Sequence, residues 1–202
     1  MTFLPLGGLI AYLEVIVSSF LVNIAPAFTP PTWIVLSLFK IHNPGTSIIV
    51  IAMFGVIGSV LGRYVMYAYS KFFSKYISKK EERNLSYFRK FVGGKEFNLY
   101  LGTFLYALTP LPSNFLFISL GLSKTKIGPA MIGFALGRFL SYFILITTSF
   151  RTFNYFSLFV DESKIRLAMD LFGIISAIAI LFVNWESVYN KSRIWGRKLK
   201  FT

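Results

Sequence analysis

The chain has 202 residues, of which 55% are hydrophobic, 18% aromatic and only 14% charged, with a mean hydropathy of +0.64. A soluble domain of this size would leave too much apolar side chain in water, so composition points to an integral membrane protein. The net charge of +13 does not indicate nucleic acid, because the basic residues sit in short segments between apolar runs and read as orientation signals. The absence of cysteine excludes disulfide and thiol chemistry.

Residues 3 to 25 carry a single charge, Glu14, with no basic residue ahead of them, so a removed signal peptide is not expected. The segment 8 to 25 is long enough to span a bilayer, yet it also fits as the first arm of a hairpin. Pro26, Pro30, Pro31 and Pro44 surround the seven-residue apolar run Trp33 to Phe39, which as a helix covers only about 10 Å. That run cannot span, so residues 1 to 45 are expected to hold an N-terminal helix and a re-entrant region. Residues 46 to 70 carry only Arg63 and form a transmembrane helix of about the length that a roughly 30 Å hydrocarbon core demands.

Residues 71 to 96 carry eight basic residues against three acids, which makes this loop cytoplasmic. Its aromatic residues interleave with the basic ones, as in an interfacial helix on anionic lipid, although a solvated connector has the same composition. Residues 97 to 123 repeat the broken pattern: Pro110 and Pro112 interrupt an apolar run that resumes at Ser113. Such a backbone at membrane depth must be buried in protein or line a wet cavity. Residues 127 to 150 carry only Arg138 and form the second transmembrane helix, 165 to 185 a third, and the tail 186 to 202 carries five basic residues against Glu186, placing the C-terminus in the cytoplasm.

The order of elements is duplicated. Gly58-Ser59-Val60-Leu61-Gly62-Arg63-Tyr64-Val65-Met66-Tyr67 returns seventy-five positions later as Gly133-Phe134-Ala135-Leu136-Gly137-Arg138-Phe139-Leu140-Ser141-Tyr142. Each copy follows a broken segment marked by Thr-Pro, at Thr29-Pro30 and Thr109-Pro110. The charge bias makes the two Leu-Gly-Arg helices antiparallel. The expected fold is therefore all-α, an inverted repeat of re-entrant hairpin plus transmembrane helix with one further C-terminal helix.

Four ionisable residues lie within the apolar runs: Glu14, Arg63, Arg138 and Asp170. Charges in hydrocarbon face a partner or a wet cavity. Arg63 lies about 12 Å of helix from Lys71 and can snorkel part of the way, whereas Arg138 is about 18 Å or more from either flanking cation. The arginines are candidate sites for a substrate headgroup or structural bridges. Glu14 and Asp170 are candidates for proton coupling or charge pairing. Asn23, Thr29, Thr32, Thr109, Ser113 and Asn114, with Pro30, Pro110 and Pro112, mark the two turns; they bind a polar headgroup or satisfy the freed backbone. Gly55, Gly58, Gly62, Gly133 and Gly137 give smooth faces for close helix packing.

Enzyme signatures are missing. The single histidine, His42, precedes Asn43-Pro44, no acid or histidine cluster has metal spacing, and no nucleophile elbow occurs. Neither a metal nor a cofactor is called for.

The set Phe28-Thr29-Pro30-Pro31, Gly58-x-x-x-Gly62-Arg63-x-x-x-Tyr67, Ala107-Leu108-Thr109-Pro110-Leu111-Pro112-Ser113-Asn114 and Gly121-Leu122 resembles the DedA/VTT superfamily, formerly described as SNARE-associated, across roughly residues 12 to 150. The resemblance implies two opposed re-entrant hairpins and the movement of lipids between leaflets, of a phospholipid or polyprenyl-phosphate type. Two elements common in bacterial members are replaced: Val22-Asn23 and Thr32 stand where an acid flanks the first turn, and Tyr106 to Pro112 where an Arg-x-x-Pro-x-x-Arg-like element marks the second. A small-solute transporter coupled to protons or ions, and a membrane-assembly scaffold acting through loop 71 to 96, are the alternatives. The partners implied are membrane lipids, an anionic headgroup among them, and a second copy of the chain, in a cell membrane or in the endoplasmic reticulum or Golgi of a eukaryote.

Overall fold

The computed structural model describes residues 6–25, 30–76, 96–109, 113–161, 163–164, 167–168 and 171. Thr29, Pro110, Pro112, Asp170, most of the loop 71 to 96, most of the predicted span 165 to 185 and the tail 186 to 202 lie outside the described residues. Within them the secondary structure is helical, without strands.

Helix α1 (Leu6–Ile24) ends just before Pro26, and α2 (Thr32–His42) begins directly after Pro31. Pro31 has φ −56°, the value its ring imposes and the one a helix entry needs, and its carbonyl accepts the Ile34 amide at 2.9 Å. Helix α3 (Ile48–Phe73) follows, closed by a 3₁₀ turn at Ser74–Tyr76. Its 26 residues contain no proline, so nothing interrupts the hydrogen-bond ladder. The second half copies this order with α4 (Glu96–Leu108), α5 (Asn114–Leu122) and α6 (Gly128–Phe156). The long helix α6 extends six residues beyond the predicted 127 to 150, and carries Arg151 in its exposed last turns.

Packing repeats as well. Helix α1 lies along α3, and α4 lies along α6; α5 packs on α3, α2 packs on α6, and the two long helices touch. Their relative direction follows from the core. Met66 and Tyr67, late in α3, share a cluster with Ala130 and Phe134, early in α6. Ile51 and Ala52, early in α3, share another with Tyr142 and Ile146, late in α6. The long helices therefore run in opposite directions.

Glycine sets the closeness of the α1–α3 and α4–α6 pairs. A Cβ on Gly62 would stand 2.8 Å from the Phe20 carbonyl oxygen and 2.8 Å from Asn23 Cβ; one on Gly137 would stand 2.5 Å from the Phe104 carbonyl oxygen. Gly58 and Gly133 face the same two helices one turn earlier, while Gly55 meets only the Leu36 side chain of α2. The small residues thus seat each long helix on the helix that opens its own half, and not on the other long helix.

Outward faces are apolar. Ile49, Met53, Ile57 and Leu61 recur every four residues along α3 and are exposed, as are Ile132, Leu136, Leu140 and Ile144 along α6. Helices α3 and α6 are long and apolar enough to cross a membrane. Stripes of this kind fit lipid and would be costly in water, as an all-α membrane protein requires.

Candidate functional site

Because α1 and α3 run side by side, the end of α1 arrives at the middle of α3 and stops there. The last carbonyls of a helix have no amide partner and carry the negative end of its dipole. Arg63 answers this: its Nη1 donates to the Asn23 carbonyl at 3.3 Å, and the Tyr69 hydroxyl donates to the Ile24 carbonyl at 3.4 Å. Arg138 does the same in the second half, donating to the Thr109 carbonyl at 3.3 Å. Each repeat arginine caps the broken helix end of its own half.

The unequal depth expected of the two arginines has no counterpart in their burial. Both are buried, Arg63 at 5% exposure and Arg138 at 7%. The cause is local: a nearby orphan carbonyl is a closer partner than distant water. The arginines are also within electrostatic reach of each other, and Arg63 feels Tyr142, Tyr69 and Tyr106 besides, with no carboxylate among these neighbours. Since Tyr106 lies in α4, the two broken ends converge.

Around Arg63 the first half builds a polar network. Asn23 Nδ2 shares its two hydrogens among the Ser19 carbonyl (2.8 Å), Thr32 Oγ1 (2.9 Å) and Ser59 Oγ (3.0 Å), and Ser59 Oγ shares a hydrogen bond of 2.9 Å with the Tyr142 hydroxyl. Four helices, α1, α2, α3 and α6, meet through these side chains. The second half is built differently at the matching positions. Ala107 packs on Gly137 as Asn23 packs on Gly62, and Phe134 replaces Ser59. Phe134 stacks edge-on against Phe117 at 5.0 Å and lies under the Arg138 guanidinium at 5.5 Å. The Tyr67 hydroxyl, counterpart of Tyr142, instead donates to the Thr125 carbonyl at 2.9 Å.

Several buried polar atoms have no hydrogen-bond partner: Arg63 Nε and the hydroxyls of Ser19, Ser113 and Ser141. Unmet donors at such depth cost about 1–3 kcal/mol each, and more when charged.

Of the residues singled out from sequence, Asn23, Thr32, Ser113 and Asn114 are buried and Pro30 and Thr109 half-buried, all at or beside the two breaks. Thr109 spends its hydroxyl on the Tyr106 carbonyl at 2.7 Å, satisfying the backbone. Glu14 does not join the site. It is exposed on the outer face of α1 with Leu13 and Val17, because the inner face is taken by Ile16, Ser19, Phe20 and Asn23 against the glycines. It is therefore not the counter-ion of either arginine. Ser19, Ser59, Ser141 and Tyr142 were not singled out. Ser59 and Tyr142 stand in the two copies of the repeat, and the difference between copies, serine for phenylalanine, was the available signal.

Among the described residues no group of acids and histidines is placed to hold a metal. The arrangement defines an all-α protein with a buried, cation-rich junction of two broken helix pairs. No protein family, curated protein or solved structure matches the chain.

Proposed function

We propose that this protein moves an anionic amphiphile between the leaflets of a membrane, as a scramblase or flippase of phospholipid or polyprenyl-phosphate type. In this reading α1–α2 and α4–α5 are two opposed re-entrant hairpins, α3 and α6 are the spanning helices, and the chain is a multi-pass inverted repeat with its basic loop and tail in the cytoplasm. The DedA/VTT-like motif residues Pro30 and Thr109 beside the two breaks, with Gly62-Arg63 on the neighbouring helix, support this reading.

The observation that carries it is Arg63. A guanidinium buried to 5% exposure donates through Nη1 to one carbonyl and to a methionine sulfur, and its Nε–H has no acceptor. A second arginine lies within its electrostatic reach. An oxoanion headgroup supplies the acceptor that Arg63 Nε lacks, while its tails remain in lipid along the apolar stripes.

The test is leaflet exchange by the purified protein in liposomes, read as access of an external quencher to a headgroup-labelled anionic lipid. Wild-type protein should expose the inner-leaflet label, and Arg63→Gln should slow exposure about tenfold or more, the worth of a charge-assisted hydrogen bond. Exchange should persist after the proton gradient is collapsed. If wild-type protein leaves the label at the protein-free background, the proposal is wrong; if collapse of the gradient stops exchange, a coupled transporter replaces it.

A further inference from the structure

Helix α5 closes with a pair of bonds that fold its end back on itself: the Lys124 amide donates to the Gly121 carbonyl at 3.0 Å and the Thr125 amide to the Leu120 carbonyl at 3.1 Å. This closure needs one residue in the left-handed region, where glycine is favoured because a Cβ collides with the neighbouring carbonyl. Here the residue is Lys124, with φ 54°, the only non-glycine residue with positive φ among the described residues. A lysine gains nothing from that backbone. That makes Lys124 a candidate for a role carried by its side chain.

The turn is rigidly seated. Ser123 and Thr125 are buried and share a hydrogen bond of 2.8 Å, and the Thr125 carbonyl receives the Tyr67 hydroxyl. Lys124 and Lys126, alternating with them, are exposed. Gly121 lets the end of α5 settle on α3, where a Cβ would stand 2.6 Å from Ser70 Cβ and 3.1 Å from the Lys71 amide nitrogen. The exposed Lys71 and Lys75 thereby share this end of the molecule. Lys75 lies over the Phe72 ring at 4.1 Å and over Tyr76 at 5.0 Å, and Phe72, Phe73 and Tyr76 are exposed. Among the described residues the acid near this end is Glu96, exposed in the first turn of α4.

We infer that this lysine turn, Lys124 and Lys126 with Lys71 and Lys75, docks the anionic headgroups of the bilayer surface at this end of the spanning helices. Charge complementarity and the aromatic collar select a lipid surface: amphipathic rings settle at headgroup depth, and ammonium groups among them meet phosphate oxygens. The inference is independent of transport at the arginines.

The experiment uses the full chain in mixed micelles of phosphatidylglycerol and phosphatidylcholine, with retained phosphatidylglycerol counted by native mass spectrometry and stability followed by thermal unfolding. Lys124→Gly should unfold at a higher temperature, because the left-handed cost disappears, and yet retain phosphatidylglycerol about fivefold more weakly, the worth of one lysine at an anionic surface. Lys126→Gln, which leaves the turn unchanged, should weaken retention similarly without moving the unfolding temperature. Unchanged retention in both variants overturns the inference, as does Lys124→Gly losing stability and retention together. Equal displacement of phosphatidylglycerol by free inorganic phosphate would also overturn it, showing a soluble-anion site in its place.

Discussion

Replacing Gly62 by alanine tests the geometry on which the junction depends. The added Cβ would stand 2.8 Å from the Phe20 carbonyl oxygen, 2.8 Å from Asn23 Cβ and 2.9 Å from the Asn23 carbonyl carbon. Ordinary contact begins at 3.4 Å, so the end of α1 must retreat by about 0.6 Å. Two of the three obstacles are backbone, and no rotamer change relieves them. Overpacking of this kind costs about 1–3 kcal/mol, against a gain of about 0.5–1 kcal/mol from placing alanine in a helix. The net runs from about zero to a loss of about 2.5 kcal/mol, or up to roughly 10 °C in unfolding temperature for a chain of this length. Gly102→Ala is the internal control, since nothing lies within 4 Å of its added Cβ; it should stabilise by about 0.5–1 kcal/mol. Gly55→Ala, which meets only the movable Leu36 side chain, should fall between. Thermal unfolding in detergent, followed by intrinsic fluorescence because the chain has no cysteine for thiol dyes, separates the three. Gly62→Ala as stable as Gly102→Ala would refute the close α1–α3 seat.

Tyr142→Phe removes the hydroxyl that joins α6 to Ser59 but leaves Ser59 its bond from Asn23; it should cost about 1 kcal/mol in the same unfolding assay, with no loss of apolar packing. Lys40 is buried, donates to the carbonyls of Pro44 and Thr46 (2.6 Å to the latter) and lies 4.4 Å from the Phe150 ring centroid, so Lys40→Met should cost about 2–3 kcal/mol by orphaning those carbonyls. Faster amide exchange over residues 43 to 50 is the accompanying readout, and unchanged exchange there would show that Lys40 does not hold that loop.

What was legible in the sequence is what periodicity and proline enforce. The helix breaks at Pro31 and before Ser113, the long runs of α3 and α6, and the packing role of Gly58, Gly62, Gly133 and Gly137 all follow from local chemistry acting on nearest neighbours. The enclosure of Arg63 was not legible, because it depends on a carbonyl forty residues away, at Asn23, which only the seating of α1 brings within reach. Glu14 was misplaced for a related reason: a charge in an apolar run invites an inward reading, but the glycine seat fixes which face of α1 turns inward, and Glu14 lies on the other. Ser59 and Tyr142 belong to a network of four helices, and no window along one helix contains it.

The substitution of alanine and phenylalanine for asparagine and serine between the two halves has a mechanical consequence. A contact made of directed hydrogen bonds holds one register and breaks abruptly when sheared, whereas apolar surfaces slip past one another at small cost at each step. Asn23 and Ser59 of the first half are thus tied to α6 through Tyr142 by directed bonds, whereas at the matching positions Ala107 meets Gly137 and Phe134 meets Phe117 through apolar contact. The order of helices repeats, but at these positions the register of α1 on α3 and α6 is set by hydrogen-bond direction and that of α4 on α6 by the fit of apolar surfaces.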